Sequence, residues 1–157
     1  VEKLPIKETL ETLAAARALH RHLGMLPCSQ DAHRNILAVI SELKSSLGNA
    51  IDQADFVVWL ATQQNYDDDT FAVSTSPDRC PIAVYLRERH RIDATVVGGY
   101  WRPKDPNEFA NEFSLPEWAC RFVAEIDERF GLRRGVTVRE ALKVLAHVCA
   151  TNEVSRT

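Results

Sequence analysis

Apolar side chains recur along the first third of the chain with a beat of four and three: Ile36, Ile40, Leu43, Leu47, Ala50, Ala54, Val57 and Ala61. That interval is the heptad seam of a helix packed along a narrow stripe. It predicts one helix from Gln30 to Gln64, about 50 Å long at 1.5 Å per residue. Gly48 and Asn49 oppose this, because glycine costs about 1 kcal/mol in a helix interior and Asp52 offers a place to restart. A break would usually reset the angular phase of the seam, and the phase is kept across Gly48, so the pattern favours an unbroken rod. Beyond residue 50 the seam turns to alanine, while Phe56, Trp59 and Leu60 put bulk on the opposite side.

Ahead of the rod, a first helix is predicted from Pro5 or Ile6 to Leu23, with proline suited to a first turn and Gly24 to the end. Ile6, Leu10, Leu13 and Ala14 share one side, and Ala16, Leu19 and Leu23 lie about 100° or more around the cylinder. Ser29 is placed to cap the next helix. The two helices predict a hairpin over residues 1 to 66. About 18 residues facing about 35 leaves part of the seam open to a second chain.

After residue 66 the pattern becomes mixed. Tyr66 to Thr70, with Asp67, Asp68 and Asp69 in a row, reads as an exposed turn; the alternating oxygen spacing of a calcium loop is missing. Phe71 to Ser74 is a short candidate strand, and Pro81 opens a helix to about Arg89 with Cys80 at its N-cap. Ile92 to Val97 and Tyr100-Trp101 flank Gly98-Gly99, a hairpin signal in which the strand at 71 to 74 is a candidate third member. Arg102 to Phe113 reads as an irregular connection. Ser114 to Glu117 and Thr137 to Glu140 each have capping-box spacing, predicting helices to Phe130, ended by Gly131, and from Val138 to about Ala150. Trp118, Phe122, Ile126 and Phe130 form the apolar face of the first; Ala141, Leu142, Leu145 and Val148 form that of the second. The predicted class is mainly α within α+β: a long helical hairpin at 1–66, then a small antiparallel sheet packed with three helices at 67–157.

The 157 residues are 45% hydrophobic and 26% charged, enough for a packed core. The charge of −3 is spread evenly, with 6 basic and 7 acidic groups up to residue 66 and 13 and 15 beyond it. Affinity for nucleic acid usually rests on a basic excess, so that partner is disfavoured. No apolar run approaches the ~20 residues of a membrane span, and no secretory signal pattern opens the sequence. Cys28, Cys80, Cys120 and Cys149 form no Cys-x-x-Cys pair, so zinc is not expected and the cytosol is the expected setting.

Glycine-rich phosphate loops and the common hydrolase and metalloprotease motifs are missing, so no cofactor is expected. Cys80 is the best single candidate for a nucleophile, since a helix N-terminus favours a thiolate; a base is lacking on the strands that follow. His20 and His22 stand about 200° apart on their helix and cannot share a metal, and His33 lies beside the seam. Arg87, Arg89, His90 and Arg91, and Arg129, Arg133 and Arg134, form two basic clusters. The helices around the second are joined by about six residues, longer than a helix-turn-helix connection. Asp105, Glu108 and Glu112 could line a cleft with Tyr100 and Trp101. The favoured function is non-catalytic: a regulatory protein that binds another protein or itself, as a homodimer would. The contact residues are Ile36, Ile40, Leu43, Leu47, Ala50, Ala54, Val57, Ala61, Tyr100 and Trp101. The alternatives are an enzyme or thiol sensor using Cys80, and a nucleic-acid binder.

Overall fold

The computed structural model describes residues 5–24, 30–63, 69–104 and 112–155. It contains two compact units, Val1–Ala50 and Ile51–Thr157. The first is a hairpin of α1 (Ile6–Gly24) and α2 (Gln30–Gly48). α1 buries Ile6, Thr9, Leu13 and Ala16, spaced three, four and three, so its packing stripe includes a threonine that the apolar pattern passed over. The Thr9 hydroxyl is satisfied by the Pro5 carbonyl at 3.0 Å, which removes the cost of burying it. His20 and His33 meet edge to face, with centroids 5.9 Å apart, and fix the pairing of the two helices near the loop. The predicted cap Ser29 lies outside the described residues.

The unbroken rod is not formed. α2 ends at Gly48, and α3 (Gln53–Thr62) begins after Asp52, whose side chain accepts from the Asp55 N–H at 3.2 Å. The reason lies on the face opposite the alanine seam. Phe56, Trp59 and Leu60 are buried, and Phe56 packs against Trp59, Tyr85, Trp118 and Phe122 with centroids 5.2 to 5.9 Å apart. Burying each large aromatic is worth about 1.5–3 kcal/mol, well above the cost of one helix break near a glycine. α3 therefore belongs to the second unit, and the unit boundary falls at Ala50/Ile51.

In that unit β1 (Thr70–Val73) does not join the glycine hairpin as a third strand; it pairs antiparallel with β5 (Gly135–Thr137). α4 (Pro81–His90) follows, with Cys80 as its N-cap. β2 (Ala94–Val97) and β3 (Tyr100–Pro103) form the predicted hairpin. Gly98 and Gly99 both have positive φ, 59° and 83°, as a tight hairpin turn demands. The third strand of this sheet is β4 (Phe113–Ser114), inside the stretch read as irregular; residues 105–111 of that stretch lie outside the described ones.

Ser114 is consequently a strand residue and caps nothing. α5 (Glu117–Phe130) starts after Pro116, without a side-chain cap. The second capping box does form: the Thr137 N–H donates to Glu140 Oε1 and the Glu140 N–H to Thr137 Oγ1, both at 3.1 Å, at the start of α6 (Val138–Ser155). α6 buries Ala141, Val144, Leu145 and Val148, while Leu142 is half-buried. Ser74, fully buried, donates to the Gly131 carbonyl at 2.6 Å and accepts from the Arg134 N–H at 3.0 Å, tying the α5–β5 connection to the end of β1. None of the described helices is long and apolar enough to cross a membrane.

Candidate functional site

The residues of the four-and-three beat divide between the two units. On α2, Leu47 is fully buried, whereas Ile36, Ile40 and Leu43 remain half-buried. Leu37 and Val39, about 160° apart around the helix, flank that stripe at 49% and 42% exposure, and Leu19 on α1 is 48% exposed. One partner helix covers one stripe, so an apolar arc this wide leaves both flanks of the hairpin uncovered. On α3, Ala54 and Val57 are exposed and Ala61 is half-buried, pointing away from the aromatic core. They do not continue the α2 stripe, since Ala50 and Ile51 lie outside either helix.

The two hairpin aromatics also part company. Tyr100 is half-exposed, but Trp101 is fully buried and packs on Phe113 at 4.9 Å, because alternate residues of a strand face opposite sides of the sheet. Trp101 is thus a core residue and no surface anchor. Glu112 is exposed and lies 3.9 Å from Arg102, while Asp105 and Glu108 of the suggested cleft lie outside the described residues.

A polar network that the sequence reading missed links α3 to α4. Tyr85, fully buried, donates its hydroxyl to Asp55 Oδ2 at 2.5 Å and receives His90 Nε2–H at 3.0 Å, while Arg89 donates to Asp55 Oδ1 at 3.1 Å. Since the tyrosine proton points at the carboxylate, His90 carries a proton on Nε2. Burial pushes the Asp55 carboxyl up, but the bonds from Tyr85 and Arg89 and the nearby charges outweigh it and hold it below the usual range. Burial also lowers His90 and, with Asp55, raises Tyr85. The arrangement locks α3 onto α4.

A cavity with a volume of about 420 Å³ lies in the second unit. The β1–α4 turn contributes Ser76, Pro77 and Cys80, the β2–β3 hairpin Val96 to Gly99, and α5 the series Cys120, Val123, Ala124 and Asp127. That series follows helical spacing on the face about 180° from Trp118. Cys80 sits at the predicted helix start, yet only 3% of it is exposed. Burial pushes its thiol up to about 11, against the opposing pull of the Ala83 and Ile82 N–H groups. A thiol held that far above neutrality is a poor nucleophile, and among the described residues no histidine lines the cavity to serve as its base. Cys120, also raised by burial, is the more accessible thiol of the two. No group of three or more His, Cys, Asp or Glu among the described residues could hold a metal ion.

No family model matches the chain, and neither the curated proteins nor the solved structures include one with significant similarity to it.

Proposed function

We propose that the protein is a non-catalytic interaction protein that pairs with a second copy of itself through the α1–α2 hairpin. The observation that carries this reading is the incomplete burial of Ile36, Ile40 and Leu43 between exposed Leu37 and Val39, in a unit whose described residues form two helices. Two such hairpins, each helix 19 residues and about 28 Å long, match the dimensions of a four-helix bundle. Charge supports a copy as the occupant. Residues 1 to 50 carry six basic groups (Lys3, Lys7, Arg17, Arg21, Arg34, Lys44) and five acidic ones (Glu2, Glu8, Glu11, Asp31, Glu42), so two copies meet with little net repulsion. A reducing cytosolic setting accords with the free thiols of Cys80, Cys120 and Cys149. The thiol-enzyme alternative loses ground to the burial of Cys80, and the nucleic-acid alternative keeps only its two basic clusters.

The test is sedimentation across a range of concentrations with the Leu37→Glu and Val39→Glu variants. Each places a charge in a contact that buries it twice in a symmetric pair, and each should weaken association by at least about tenfold. Association unchanged by both variants would refute the assignment to this face.

A further inference from the structure

The cavity of the second unit is too large to be a packing defect and falls within the range of about 300–1,000 Å³ typical of small-molecule sites. Pro77, Val96, Val97, Leu115, Val123 and Ala124 supply its apolar walls. Its polar content has one sign. Among the described residues no lysine, arginine or histidine lines it, and Asp127 is its only carboxylate. Asp127 Oδ1 is held by the Thr75 N–H at 2.8 Å, which fixes the rotamer, while Oδ2 has no hydrogen-bond partner among the described residues. The Gly98-Gly99 turn closes the cavity where it meets α5, with the Cys120 thiol 3.9 Å from the Gly99 carbonyl.

We infer that this cavity binds a small apolar molecule carrying one cationic amine, with the amine on Asp127 and the apolar body against Val96, Val123 and Leu115. An anchored acceptor needs no reorganisation on binding, which favours a compact donor cation. Phosphorylated and carboxylated ligands are excluded by the same geometry, since an anion would meet the carboxylate with no cation to offset it.

Three probes share one apolar body and differ only in the head group: 4-phenylbutylamine, 4-phenylbutanol and 5-phenylvalerate. Titration calorimetry of the intact chain at pH 7 should show the amine binding saturably with a Kd no weaker than about 1 mM, the alcohol more weakly and the acid not at all. Bound amine should also protect Cys120 from alkylation, which places it in this cavity. Asp127→Asn keeps an oxygen for the Thr75 N–H and removes the charge; it should lower amine affinity about tenfold and leave the alcohol unchanged. Equal affinity for amine and acid, no saturable amine binding, or amine binding that leaves Cys120 unprotected would each overturn the inference, and these readings need no variant.

Discussion

Replacing Tyr85 with phenylalanine removes one oxygen and keeps the ring that packs on Phe56 and Trp59, so the polar network is perturbed with the core left filled. A hydrogen bond to a charged group contributes about 1.5–3 kcal/mol. Asp55 is 29% exposed, so water can replace part of what Oδ2 loses, which puts that share near 1.5 kcal/mol. His90, 18% exposed, loses the acceptor of its Nε2–H, adding up to about 1 kcal/mol. Tyr85→Phe should therefore cost about 2 kcal/mol at pH 7. In urea, with a slope of about 2 kcal/mol per M, the midpoint should fall by about 1 M. The effect should shrink in acid once Asp55 is protonated, because the lost partner is then neutral and the bond to it worth less. A loss below about 0.5 kcal/mol, or one equally large at pH 7 and in acid, would refute the account of this network.

Three further outcomes follow from the second unit. Gly135→Ala should destabilise by about 1–3 kcal/mol in urea unfolding, because the new Cβ would stand 2.5 Å from Thr70 Cγ2 and 3.1 Å from its Cβ across the β1–β5 pair; a neutral result would contradict that close approach. Alkylation at pH 7 should modify Cys120 and Cys149 well before Cys80, which is buried and raised to about 11; a fast Cys80 would restore the thiol-enzyme reading. His90 is held below its ordinary 6.5, first by burial, with Asp55 opposing and Arg89 adding to the shift. The unfolded chain then binds the proton more readily, so His90 contributes stability that is present above 6.5 and lost as pH falls through its folded value. His90→Gln should flatten the pH dependence of stability in that window, and an unchanged slope would count against the assignment.

Much of the helical framework can be read from local signals. Gly131 ends α5, Pro81 opens α4, and Thr137 with Glu140 caps α6, each because a backbone group needs that chemistry at that place. The rod failed because spacing records intervals along the chain and not backbone angles. Leu47 and Ala54 are seven residues apart whether or not a turn lies between them, and the burial of Phe56, Trp59 and Leu60 decided the matter from a distance. β4, two residues long, and β5, three, are too short for any alternation to show. Tyr85, Asp55 and His90 gave no signal because their partnership spans up to 35 residues and depends on how α3 meets α4. The cavity was half visible: Cys80 stood out at its helix start, whereas Asp127 matters only because the β1–α4 turn delivers the Thr75 N–H to it.

Self-association through the hairpin is the claim on which the functional reading stands. Sedimentation equilibrium of the intact chain addresses it most directly. The account predicts a reversible monomer–dimer transition whose constant weakens when Leu37 or Val39 becomes glutamate. A single species of monomer mass at every concentration would contradict it.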